Sequence, residues 1–343
     1  MFNPQYSITN RLLANIKRIA EIISDLNSRN FSNIILVELE KKAREISAFS
    51  STSIEGNPLP LTDVKRILQN KPEHIRDSEK EVLNYNKALV ELNELIKTDK
   101  AIFDTNLILK IQKTIITGLI EDYRWGKLRQ EPVFVNNPKT RQTVYWPPEQ
   151  KDVELLLQEL FGYLNNQQNK IDPLILAGIF HKQFVVIHPF IDGNGRTARL
   201  ATKVLLAKMG LNTFNLFSFE NYYNQNVSRY FAEVGLLGNY YDIKDNLDFT
   251  AWLEYFTDGI IDELLRVGKE LDKNSTSPST ELKDYHQTIL DYIKTKGYIV
   301  DKDYAQLTSR AKPTRNLDFR KLISLGLIIK EGKGKATYYK FKE

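Results

Sequence analysis

A mainly helical fold with one small hairpin and a separate basic C-terminal unit is what this 343-residue chain predicts. Three observations lead there. Apolar residues recur at helical spacing over long stretches, as in Leu36, Leu39, Ala43, Ile46 and Phe49. β-prone residues cluster in only a few short runs, within 133–145 and after 326. The polar stretch 270–281 (ELDKNSTSPSTE) separates a nearly neutral body from a tail, 281–343, in which 14 Lys or Arg stand against 8 Asp or Glu. The expected organisation is an N-terminal helical region (1–103), a core (104–269), a linker (270–281) and a small C-terminal domain (282–343).

Taken in order, helices are expected at residues 6–26, 33–55, 62–69 and 78–96, the last opened by Ser78 and Glu81 as a capping box. Gly56-Asn57-Pro58 ends the second helix. The pieces Val133-Phe134-Val135 and Thr143-Val144-Tyr145 flank the turn-rich Asn136-Asn137-Pro138-Lys139 and predict a hairpin. Asp172 can cap a helix with Pro173 in its first turn and an apolar run from Leu174 to Ile187 behind it. That helix ends near His188, because a residue before proline is pushed out of the α region. Helical periodicity resumes from Arg196 to Lys208, with Gly210 as its stop. Tyrosine-rich helices follow around 219–223 and 228–231. The tail reads as helices at 282–294, 303–309 and 314–325, then β-prone runs 327–330 and 336–339 joined by Gly332-Lys333-Gly334. That order resembles a winged helix-turn-helix.

The chemistry concentrates in residues 188–199, HPFIDGNGRTAR. His188 is a proton acceptor and Asp192 a hard oxygen ligand suited to Mg2+. Gly193 and Gly195 let an anion approach the backbone at a helix N-terminus, whose N–H groups lack intrahelical partners. Arg196 stands in the first turn, where the dipole disfavours a cation, which suggests a bound polyanion. Arg196 and Arg199, three apart, share a helix face and can each hold phosphate oxygens in a fork.

The run fits the pattern H-P-F-x-[D/E]-G-N-G-R-x-x-R at every defined position and so closely resembles the Fic domain proteins. The resemblance implies a Fic-type helical domain with a β-hairpin flap and transfer of AMP from ATP to a Ser, Thr or Tyr hydroxyl of a protein target. It assigns His188 as general base and Phe190 as the anchor of the loop. Asp192 becomes the Mg2+ ligand on the α and β phosphates, Gly193, Asn194, Gly195 and Arg196 the anion cradle, and Arg199 the partner of the γ phosphate. Ser51-Thr52-Ser53-Ile54-Glu55-Gly56 fits the family's inhibitory pattern [S/T]-x-x-x-E-[G/N], which implies that Glu55 pairs with Arg199 and blocks the productive pose of ATP. The Val133-Phe134-Val135 piece resembles the flap that docks an extended target segment by β-augmentation. Tyr222, Asn226 and Tyr230 are expected to line the nucleotide pocket. Self-modification is expected, and a homodimer stays open.

Two readings compete with this one. A Fic-fold enzyme could use another nucleotide or remove AMP. A DNA-binding regulator could use the Fic part as a nucleotide sensor, with DNA contacted through residues 282–343 by Arg310, Lys312, Arg315, Arg320, Lys333 and Lys335. Composition narrows the field further. The chain contains no cysteine, which excludes disulfides and thiol catalysis, and His74, His181, His188 and His286 show no metal-ligand spacing. His181 is expected to be a packed structural residue. No apolar stretch approaches the roughly 20 residues of a membrane span, so no membrane partner and a cytoplasmic location are expected.

Overall fold

Helix α7 (Pro173–Ile187) is buried along nearly its whole length and forms the axis of the body. In this computed structural model the described residues are 2–29, 31, 33–70, 72–98, 100–136, 140, 142–208, 215–275, 282–332 and 334–341. They fall into two compact units, Met1–Ser28 with Lys42–Val267 and Arg29–Lys41 with Gly268–Glu343.

In the first unit, α7 starts as expected, with the Asp172 carboxylate accepting the Leu174 N–H at 2.8 Å. It packs on α6 (Val153–Gln167) and on α8 (Asn194–Lys208). Gly178 permits the approach of α12 (Thr250–Ser275): a Cβ there would lie 2.6 Å from Leu253, and Trp252 Nε1 donates to Gly178 O at 2.8 Å. The expected stop of α8, Gly210, lies outside the described residues.

The break expected near residue 103 is not a break in packing. Helix α4 (Asp77–Lys97) packs on α5 (Thr105–Ile116) and α8, burying Val82, Tyr85, Leu89 and Leu92. Helix α1 (Asn10–Ser28) begins later than its apolar pattern suggested and is tied to α12 by Asn15 Nδ2 donating to Thr257 and Asp258. Helices α2 (Asn33–Ile54) and α3 (Leu61–Gln69) keep nearly their expected bounds. The capping box moves. Arg76 is the cap residue of α4, and Glu79, not Glu81, accepts its N–H at 2.9 Å. Ser78 therefore lies within the helix and Glu81 is freed for another partner.

Of the expected hairpin, the paired residues are β1 (Val135–Asn136) and β2 (Thr143–Trp146), antiparallel, while Val133 and Phe134 lead into the sheet. Asn137, Pro138 and Lys139 lie outside the described residues. A third strand, β3 (Gly238–Asn239), pairs in parallel with β2, so among the described residues β1 and β3 are the two edges. Between β2 and β3 in sequence lie α9 (Glu220–Gln225) and α10 (Val227–Val234), and after β3 the short α11 (Tyr240–Ile243).

In the second unit, α12 continues to Ser275, through the first half of the expected linker, where Leu271 is buried. Residues 276–281 lie outside the described residues. Helices α13 (Asp284–Lys296), α14 (Asp301–Leu307) and α15 (Lys312–Ser324) precede an antiparallel pair, β4 (Ile328–Glu331) and β5 (Tyr338–Phe341). Ile289, Ile293, Ile299, Tyr304, Phe319, Leu322, Ile328 and Tyr339 form their common core. Arg310 stacks 3.7 Å over Tyr285 and pairs with Asp318 at 2.8 Å, and Arg315 pairs with Asp301 at 2.9 Å. Lys312 and Arg320 are exposed, and Lys333 lies outside the described residues.

Candidate active site

His188 terminates α7 in the left-handed region, φ 52° and ψ 59°, an unusual conformation for a non-glycine residue and not the extended one that a following proline favours. The helix end tolerates it because its carbonyls are capped one after another. His188 N–H donates to Phe184 O at 3.1 Å and the His188 ring to Val185 O at 3.1 Å. Tyr145 OH donates to Val186 O at 2.9 Å, and Arg129 Nη2 and Nε donate to Ile187 O and His188 O at 3.5 and 2.8 Å. Arg129 N–H then reaches Pro189 O at 3.0 Å. A carbonyl only accepts, so His188 Nδ1 carries the proton and Nε2 is left as the acceptor. Burial pushes the His188 pKa below its ordinary value, against the Val185 hydrogen bond and with help from the Arg129 charge. The imidazole is thus neutral at neutral pH.

The next residues turn tightly into α8. Phe190 is fully buried beside Phe184. Asn194, the first residue of α8, braces the turn: its Oδ1 accepts Phe190 N–H at 2.9 Å and its Nδ2 donates to Phe190 O at 2.8 Å. Its side chain is therefore occupied within the loop. Gly193 takes φ 85° with Ile115 only 3.1 Å from where a Cβ would sit. Asn194, Gly195 and Arg196 are the first turn, so their N–H groups have no intrahelical acceptor.

Arg196 is almost wholly buried and already compensated, donating to Glu81 at 2.5 Å and to Asp192 Oδ1 at 2.8 Å. The charge that seemed to demand a polyanion is therefore held by two carboxylates of the chain itself. Its buried Nε has no hydrogen-bond partner among the described residues. Glu81 also accepts from Asn57 Nδ2 at 2.6 Å, which links the end of α2 to α8. Asp192 is about half exposed, and its Oδ1 also accepts Gly193 N–H at 2.5 Å. No group of three or more His, Cys, Asp or Glu suited to a metal occurs among the described residues. A half-exposed carboxylate with Oδ2 uncommitted fits Mg2+ shared with phosphate oxygens rather than an all-protein cage.

Arg199 is fully buried, and four of its five donor hydrogens are engaged. Its Nε donates to Ser51 Oγ at 2.8 Å, its Nη2 to Ser51 O at 2.8 Å and to Glu55 Oε1 at 2.7 Å, and its Nη1 to Tyr230 OH at 3.4 Å. Glu55 lies directly over the start of α8, where a methyl on Gly195 would overlap its Oε1. One turn further along both helices, Lys203 Nζ donates to Ser47 Oγ at 2.6 Å. Helices α2 and α8 thus run antiparallel with Glu55 at Gly195, Ser51 at Arg199 and Ser47 at Lys203. Behind Arg199 the proton order is fixed. Thr202 donates to Ala198 O at 2.7 Å, so His181 Nδ1 donates to Thr202 at 3.0 Å and His181 Nε2 accepts from Tyr230 at 3.0 Å. Burial, then the Arg199 charge, hold the His181 pKa well below its ordinary value.

Of the three residues expected around the nucleotide, only Tyr230 is brought to Arg199, and it is buried. Tyr222 packs on Tyr223 and Tyr255 and against Gly259, and Asn226 caps α10 by accepting Arg229 N–H at 3.0 Å. Arg129, Glu81 and Tyr145 were not anticipated as site residues. Phe134, 57% exposed, precedes the open edge of β1.

A buried helix end offering an imidazole, followed by a glycine turn into a helix with open N–H groups and flanked by a small sheet, is the arrangement of the Fic class of fold. Residues 102–206 match the Fic/DOC family, and over that span the chain is similar to Fic-domain proteins. It is 28% identical over 225 residues to "Protein adenylyltransferase Fic" of Drosophila erecta, covering 58% of this chain and 42% of that one. The protein of that name from Aedes aegypti is 28% identical over 227 residues, covering 61% and 43%. The chain thus spans less than half the length of these curated relatives. In structure it resembles a Fic family protein from Desulfovibrio desulfuricans, with a TM-score of 0.67 at 20% identity over 99% of this chain and 98% of that one. It also resembles residues 134–508 of Fic-1 from C. elegans, at 0.60 and 21% over 77% and 73%.

Proposed function

We propose that the protein is a self-inhibited protein adenylyltransferase that moves AMP from ATP to a Ser, Thr or Tyr hydroxyl of a protein target, itself included. The observation that supports this reading is the position of Glu55 at the start of α8. Glu55 rests on Gly195 and on Arg199, where a triphosphate would have to lie.

In the reaction His188 Nε2 takes the proton of the hydroxyl as its oxygen bonds to the α phosphorus. The bond from that phosphorus to the bridging oxygen breaks, and pyrophosphate leaves. A base so placed contributes about 10²–10⁴-fold. The first-turn N–H groups of α8 and the Arg199 fork hold the phosphates in line and spread the charge that moves to the leaving group. Asp192 would hold Mg2+, which when bound supplies charge neutralisation on the phosphates. The open edge of β1 presents the target segment by main-chain pairing.

Labelled ATP tests the proposal. Glu55→Gly should modify itself at least tenfold faster than the parent chain, and Glu55→Gly with His188→Ala should not. Equal labelling of all three would remove both residues from their roles. Of the residues read as DNA contacts, Arg310 and Arg315 are already paired inside that unit, while Lys312 and Arg320 are exposed. A salt-dependent shift of duplex DNA by the full chain decides that second reading.

A further inference from the structure

We propose that Arg129 is a positioning residue that sets the proton acceptor His188 against the flap edge where a target hydroxyl is presented. The inference rests on the adenylyltransferase reading for its catalytic consequence, though not for its geometry.

Arg129 lies ahead of β1, on the segment that leaves Gly126, a residue with φ 64° whose N–H donates to Gln112 at 2.6 Å. The residue is only 2% exposed, and its side-chain partners are all main-chain carbonyls. A guanidinium buried without a carboxylate is costly, so its place calls for an explanation. Its donors explain it. One side of the fork holds the end of α7, through His188 O and Ile187 O. The other holds both roots of the flap, Glu131 O before β1 at 3.2 Å and Pro148 O after β2 at 2.5 Å. Its own N–H grips Pro189 O. A single planar group therefore spans the two parts whose separation determines whether a hydroxyl on the flap reaches Nε2.

The same grip holds His188 in its left-handed conformation, which costs an L residue free energy unless its surroundings enforce it. That backbone pose turns the ring so that Nδ1 meets Val185 O and Nε2 remains open. Lysine could not replace this arrangement, because an ammonium is a point and cannot donate to carbonyls on both sides.

The test uses full-length protein in the Glu55→Gly background, with Arg129→Lys and Arg129→Gln. Long-range proton–nitrogen spectra of the histidine rings, recorded without nucleotide and with His188 assigned from His188→Ala, report the His188 tautomer directly. The proposal expects the Nδ1–H form of the parent to give way to an averaged ring in both variants. Self-modification with ATP labelled at the α phosphate should fall about 100-fold in kcat, the effect of a roughly 1 Å misplacement. ATP affinity by calorimetry should stay within about threefold. Should Arg129→Gln not fold, Arg129→Lys, which keeps charge and stem, carries the test. An unmoved His188 ring or an unchanged kcat in a folded variant overturns the proposal. A parent that transfers no AMP would sink the functional reading instead, and the ring spectrum would still judge Arg129.

Discussion

Glu55 Oε1 stands 2.7 Å from Arg199 Nη2, and the guanidinium it meets is wholly buried while the carboxylate is 28% exposed. That asymmetry predicts how the pair behaves when broken. Removing one partner of a fully buried pair costs about 3–5 kcal/mol. Here Ser51 and Tyr230 remain on Arg199, so Glu55→Gly should lose only about 1–2 kcal/mol in denaturant unfolding. ATP should stabilise the variant more than the parent, because the ligand refills the vacated fork. Equal stabilisation of both by ATP would separate Glu55 from the nucleotide site.

His188→Ala should abolish transfer while leaving ATP binding intact, as read by initial rates and calorimetry. The ring hydrogen-bonds neither the α8 first turn nor Arg199, so its loss removes the proton acceptor and one cap on Val185 O while leaving the phosphate-facing groups in place. Retained transfer would take the base role away from it.

His181 and His188 give a pH dependence with a definite sign. His181 and His188 both have native pKa values below the ordinary 6.5, so at acid pH the unfolded chain binds protons that the native chain refuses. Their contribution is complete above about pH 6.5 and is lost as pH falls below it, by up to about 1.4 kcal/mol per pH unit for each histidine. Urea midpoints measured from pH 7.5 to 5.0 should fall, and His181→Gln should flatten that fall. For transfer, the acid limb should lie below pH 6.5, with a plateau at neutrality.

Asn194→Ala removes both hydrogen bonds that brace the turn, leaving Phe190 N–H and O buried without them. The expected cost is about 2–4 kcal/mol in thermal unfolding, with transfer falling at least tenfold. A variant as stable and active as the parent would show that the glycines alone shape the turn.

Much of this site was legible in the sequence because its parts are local. Asp172 and Pro173 mark the start of α7, and the contiguous run 188–199 forms the turn and helix start. Glu55 and Ser51 followed from pattern resemblance, across about 140 residues of chain. What stayed hidden is long-range compensation. Nothing adjacent to Arg129 distinguishes it from a surface arginine, because its partners are backbone carbonyls, which every residue carries. Glu81 fitted a capping box equally well as it fits Arg196, and only packing of α4 on α8 decides between them. Tyr222 and Tyr230 have the same residue type and similar settings, yet Tyr230 reaches Arg199 while Tyr222 packs on Tyr223 and Tyr255. The linker read from composition was helical for half its length, where Leu271 is buried.

Intact-mass analysis of Glu55→Gly, incubated with each nucleoside triphosphate and Mg2+ beside the parent chain, tests the central claim most directly. The account predicts an added mass of about 329 Da with ATP, that of AMP less water, in Glu55→Gly and far less in the parent. An unmodified mass with ATP, or an equal gain by both proteins, would contradict it.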